Sequence, residues 1–154
     1  LEQANMPLHE EIVEYLKEYN FYVKVKEFRN KYPTEYNILT ETIKESMNDD
    51  YITSIFICII FGSYAKGEEK KDSDIDILFI TCPPSFRTDF KKIVSKINAP
   101  YQKKFHIKNQ EVKYFIKDLK EKNKVSIATE VYKYLPIVLH GDDIFFKIMV
   151  EASK

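Results

Sequence analysis

Residues 51–61, YITSIFICIIF, form an almost unbroken run of β-branched and aromatic side chains. The run has strand length, well short of a membrane span, and carries no helical period. It predicts a strand buried on both faces, and so commits the chain to building a sheet around it. The run stops at Gly62. A second apolar segment, IDILFIT (75–81), predicts a second strand that ends at the turn signal Pro83-Pro84. KFHIKNQEVKYF (104–115) predicts a third, running into a helix near FIKDLKEKN, and PIVLHG a short strand or turn.

Around these the period is helical. Apolar residues spaced three and four apart predict helices over 8–19, from about Thr34 to Met47 with Thr34 as the cap, and from Ser85 to about Ile97. Two more are predicted over VSIATEVYKYL and DDIFFKIMVEA. Residues 21–28, FYVKVKEF, fit both periods: Phe21, Val23 and Val25 alternate as in a strand, and Glu27 breaks the series. The expected architecture is α/β (α+β), a small mixed sheet with helices packed mainly on one face, plus N-terminal helices. An N-terminal helical segment (1–50) is expected to pack on the same domain as residues 51–154. The chain starts at Leu1 and its first methionine is Met6, so residues 1–5 are read as added or truncated sequence and given no weight.

Composition excludes several functions. Lys+Arg and Asp+Glu are 24 each among 154 residues, so no net field favours nucleic acid or an anionic membrane. With 44% hydrophobic and 31% charged residues the chain suits a soluble globular protein. Two cysteines, Cys58 and Cys82, fit reduced thiols and a cytoplasmic setting better than a disulfide framework.

The chemistry concentrates in FGSYAKGEEKKDSDIDILFI (61–80), which holds two of the chain's three glycines. A buried strand that ends in Gly62-Ser63 and turns into a short helix aims backbone N–H groups at one spot. Gly62 lets a ligand approach the backbone, and the Ser63 hydroxyl can donate to it. Such a turn can hold phosphate oxygens, although a strand-ending glycine more often only turns the chain. GSYAKG has the glycine spacing of a P-loop. That motif demands Lys then Ser/Thr next, and Glu68 and Glu69 would repel a triphosphate.

Asp74 and Asp76 stand two apart at the start of the second strand, on one face and ~7 Å apart along the chain. Paired carboxylates of this kind need a proton or cation, and hard oxygen ligands suit Mg²⁺ shared with substrate phosphate. The alternative is a solvated strand end. A hairpin of ten residues between Ser63 and Asp74 would bring the two halves to one edge, the equipment of phosphoryl or nucleotidyl transfer.

The pattern Gly-Ser, ten residues, Asp-x-Asp resembles the signature of the DNA polymerase β-type nucleotidyltransferase superfamily. GSYAKG followed by SDID is similar to its minimal nucleotidyltransferase branch. The resemblance implies transfer of a nucleoside monophosphate, AMP from ATP first, to a hydroxyl of a protein tyrosine or a small molecule. It assigns Gly62 and Ser63 to the triphosphate, with Lys66 as a further phosphate contact, and Asp74 and Asp76 to two Mg²⁺ ions. The family tends to add a third carboxylate from a later strand, and Glu111 is the only acid in the predicted third strand. His106 and His140 are read as structural. The branch also implies a HEPN-domain partner in a toxin–antitoxin pair. This leaves a second reading, a non-catalytic antitoxin or regulatory module that keeps the fold and binds its partner.

Overall fold

The computed structural model describes residues 21–47, 55–81, 97, 101 and 104–153. The helices expected over 8–19 and 85–97 lie outside these residues, apart from Ile97. Six helices and four strands are described: α1 (Tyr22–Lys31), α2 (Pro33–Met47), β1 (Ile55–Phe61), α3 (Ser63–Lys66), β2 (Ile75–Thr81), β3 (Phe105–Glu111), α4 (Val112–Lys120), α5 (Ile127–Lys133), β4 (Ile137–His140) and α6 (Asp142–Ser153).

The strands form one sheet in the order β3-β2-β1-β4. β1 pairs antiparallel with β2 and β4, whereas β2 pairs parallel with β3, so the sheet is mixed. Its two central strands are buried on both faces, as their unbroken apolar runs require. On one face Cys58, Ile60, Ile75, Ile77 and Phe79 meet Phe28 of α1 and Leu39 and Ile43 of α2. On the other, Ile57, Ile59, Leu78 and Ile80 meet Phe115 and Leu119 of α4, Val131 of α5, and Phe145 and Met149 of α6. The helices after β3 thus gather on one face and the N-terminal pair closes the other. Phe79, Phe115 and Phe145 are fully enclosed, and truncating any of them to Ala would cost about 3–5 kcal/mol.

Local chemistry sets the ends of these elements. α2 starts at Pro33 itself; proline suits a first helical position, where its missing N–H has no partner to lose. Thr34 is therefore inside the helix rather than its cap. α5 is capped by Ser126, whose hydroxyl accepts from Thr129 N at 3.1 Å while Ser126 N donates to Thr129 Oγ1 at 3.0 Å. Residues 22–31 are helical. Phe21 and Phe28 are buried, Val25 packs against the core, and Tyr22 and Val23 are exposed, so burial follows helical spacing and leaves Val23 of the alternating set outside.

Candidate active site

The last residue of β1, Phe61, pairs with Asp76 near the start of β2. Between them the chain passes through Gly62, the single turn of α3, Gly67 and a polar loop. Gly62 has φ 73° and ψ −146°, a combination open almost only to glycine. Gly67, at φ 72°, ends α3 in the left-handed conformation, and its N–H donates to Ser63 O. The loop returns through a turn in which Lys70 N donates to Ser73 Oγ at 2.8 Å and Ser73 N to Lys70 O at 3.0 Å.

Asp76 is the only residue of β2 that is not buried. One of its carboxylate oxygens lies against Gly62: a β-carbon there would be 2.3 Å from Asp76 Oδ2. The other, Oδ1, lies 3.2 Å from His106 Nδ1. Asp74 is exposed and lies just before β2. The Gly-Ser turn and Asp76 are therefore adjacent across the β1–β2 hairpin, with Ser63 opening α3 and Asp74 at the mouth of β2.

Two other expected site residues lie elsewhere. Lys66 Nζ is 2.9 Å from Glu130 Oε1 and 4.7 Å from the centre of the Tyr134 ring, which ties it to α5 and the segment after it. The Glu130 hydrogen bond raises the Lys66 pKa. Glu111 pairs in register with Thr81, and Asp76 pairs with His106. Five strand positions separate the two pairs, about 16 Å, and the odd offset turns Glu111 to the opposite face. Glu111 Oε2 is 3.9 Å from Lys113 Nζ. The structure does not bring Glu111 to the aspartates. The parallel β2–β3 register is the reason: it sets the start of β3, not its end, beside Asp76.

The sequence reading missed the support behind the turn. Five contacts bind α1 and its C-cap residue Tyr32 to residues 64–69. Lys24 Nζ donates to Ala65 O at 2.9 Å and also to Leu135 O. Tyr32 Oη donates to Glu69 Oε1 at 3.1 Å, and Lys31 Nζ lies 3.0 Å from the same oxygen. Tyr64 packs edge-on against Phe28 and Tyr32 with ring centres 6.2 and 5.1 Å apart. Burial lowers the Lys24 pKa, opposed by Glu27. For Glu69 burial acts upward, but Lys31, its own backbone N–H and Tyr32 outweigh it and the pKa falls. Glu69 Oε2 is buried without a hydrogen-bond partner among the described residues. These groups line a polar cavity of about 420 Å³ between α1 and the turn. The alternating pattern of residues 21–28 concealed this helix, and no local motif marks Lys24 or Tyr32.

A more apolar cavity of about 500 Å³, lined by Phe21, Tyr22, Val25, Val138, Leu139, His140 and Asp142, holds none of the expected site residues. Among the described residues no three His, Cys, Asp or Glu side chains converge closely enough to hold a metal ion by themselves. The donor set present, Asp76 against Gly62 with the exposed Asp74 at the mouth of β2, has the chemistry of a cation site only if water and other oxygens complete the shell. No helix among the described residues is long and apolar enough to cross a membrane.

A family model of the nucleotidyltransferase domain matches residues 40–138, well over half of the chain. A search of curated proteins finds no match. Among solved structures, the crystal structure of a toxin-antitoxin with AMP-PNP is similar over 74% of this chain and 86% of that one, with 18% identity and a TM-score of 0.43.

Proposed function

The chain belongs to the nucleotidyltransferase domain family, and on that premise we propose that it transfers a nucleoside monophosphate, AMP from ATP, to a hydroxyl acceptor. The observation that supports this reading is the seating of Asp76 on Gly62, a carboxylate beside the Gly62-Ser63 turn. In this reading Gly62 admits the triphosphate close to the backbone, Ser63 donates its hydroxyl to a phosphate oxygen, and Asp74 and Asp76 hold Mg²⁺. Bound there, Mg²⁺ supplies neutralisation of phosphate charge and activation of the acceptor hydroxyl. The strap from α1 holds the turn in shape, because an active-site loop must keep its geometry when a charged ligand docks. Residues 1–50 act on this view as part of the transferase unit. We place the protein in the minimal nucleotidyltransferase branch on its GSYAKG and SDID segments, and in the cytoplasm, consistent with the free, buried Cys58.

One observation favours a second reading. Among the described residues no third carboxylate reaches Asp76, as a non-catalytic antitoxin or regulatory module binding a HEPN-type partner would allow. The two readings separate in one assay: incubation with α-labelled ATP, Mg²⁺ and a candidate HEPN partner. Label on the partner that disappears in the Asp74→Asn/Asp76→Asn variant supports transfer. A stable complex that never acquires label supports the module.

A further inference from the structure

The balanced charge of the whole chain hides a local excess. Residues 112–134, which make α4, α5 and the loop between them, carry six lysines, three acids and no arginine. Folding sorts them further. All six lysines are exposed, whereas Asp118 and Glu130 are partly buried and only Glu121 stands in solvent. Asp118 holds Gln110 and Lys124, Glu121 also faces Lys124, and Glu130 holds Lys66. Among the described residues no carboxylate lies in ion-pair range of Lys117, Lys120, Lys122 or Lys133.

Tyrosine rings share this surface. Tyr114, Tyr132 and Tyr134 are 51%, 37% and 41% exposed. Lys122 Nζ lies 5.3 Å from the centre of the Tyr132 ring, and Lys133 Nζ 5.3 Å from that of Tyr134. Lys122, Lys124, Lys133, Tyr132 and Tyr134 line a cavity of about 580 Å³. Asn123 and the almost fully exposed Val125 belong to the same lining. Its wall is preformed: Ser126 caps α5, and Thr129 Oγ1 lies 3.0 Å from Lys124 O. α4 and α5 pack on Leu78 and Ile80, which strand alternation places on the same sheet face as Asp76. Glu130 and Tyr134 reach Lys66 of the Gly-Ser turn.

Ammonium groups set among open rings match a single strand of nucleic acid, whose phosphates meet the lysines and whose bases stack on the tyrosines. An exposed cation–π contact is weaker than a base stacked on a ring, so an arriving base displaces the ammonium toward the neighbouring phosphate. A protein partner fits less well, because lysine is depleted from protein interfaces. The amide of Asn123 both donates and accepts, as a ribose 2′-hydroxyl does, and DNA lacks that group.

We propose that the α4–α5 face binds single-stranded RNA, with the backbone along Lys120, Lys122, Lys124 and Lys133 and a base on Tyr132. Without arginine forks to read base edges, the binding is expected to discriminate little among sequences. The proposal does not rest on nucleotidyl transfer and stands or falls apart from it.

The probe is a fluorescein-labelled oligoadenylate RNA of about ten nucleotides, titrated with the full chain by fluorescence anisotropy over a series of salt concentrations. The expected result is binding that weakens as salt rises. Tyr132→Leu should weaken it by about tenfold. Lys120→Gln/Lys122→Gln should weaken it and lower the slope of log affinity against log salt by about 1–1.5. Lys26→Gln/Lys44→Gln removes the same charge from exposed positions on α1 and α2 and should change neither. No RNA binding at low salt, or equal losses in the two double variants, overturns the proposal. Oligodeoxyadenylate bound as tightly as the RNA overturns the assignment to RNA. Polyglutamate bound as tightly as the RNA, with no loss in Tyr132→Leu, replaces it with a docking face for an acidic protein. Far-ultraviolet circular dichroism of each variant separates lost binding from lost fold.

Discussion

A side chain on residue 62 and the carboxylate of Asp76 cannot occupy the same space, since a β-carbon on Gly62 would lie 2.3 Å from Asp76 Oδ2. The glycine is needed twice, for its positive φ and for the room it leaves. The Asp-x-Asp strand can reach the Gly-Ser turn only because nothing projects from position 62.

Gly62→Ala should therefore damage both stability and site. The backbone conformation alone costs about 1–3 kcal/mol for a non-glycine residue, and Asp76 must also move. Thermal unfolding should show a drop of several degrees, and calorimetry a loss of ATP affinity larger than that of Ser63→Ala. A Gly62→Ala protein with wild-type affinity would show that the close contact is irrelevant to binding.

Asp74→Asn and Asp76→Asn remove charge while keeping shape. Mg²⁺-dependent ATP binding should fall sharply in the double variant while the unfolding temperature changes little, because Asp74 is exposed and Asp76 only half-buried. Ser63→Ala should lose about 1 kcal/mol of binding, the net worth of one hydroxyl hydrogen bond. Equal Mg-ATP affinity in wild type and the double variant removes the metal-binding role from these residues.

Lys24 joins α1 to the turn and to Leu135, just before β4. Lys24→Met should keep the aliphatic packing but strand two carbonyls, costing about 1–3 kcal/mol. Hydrogen exchange should then rise at residues 63–67 before it rises in β1. Uniform loosening of the whole chain would argue that Lys24 serves general stability and not the turn.

Glu69 carries a pH signature. Its pKa in the folded chain lies below the ordinary value of 4.5, so its contribution is present above that value and fades as pH falls through the folded one. Urea unfolding of wild type and Glu69→Gln should show wild type ahead at pH 7 and the gap closing below about pH 4.5. A gap that stays constant down to pH 3 would mean that the carboxylate charge contributes nothing to the strap.

Much of the sheet, and the meeting of the Gly62-Ser63 turn with Asp76, could be read from the sequence, because both are local. The apolar run of 75–81 matches β2 residue for residue, since a strand shielded on both faces needs apolar side chains at nearly every position. Gly62, Ser63, Asp74 and Asp76 stand close in sequence, and an antiparallel hairpin brings its two arms together. Tertiary structure decided the rest. Residues 21–28 fit both periods until the core took Phe21 and Phe28 and left Val23 exposed. β3 shows its alternation in the sequence but not its register, because a parallel partner joined by a long connection can slide along β2 with no local turn to fix it. That register set His106, and not Glu111, beside Asp76. The strap has the same origin: Lys24 and Ala65 are 41 residues apart, and packing of α1 against the sheet brings them together.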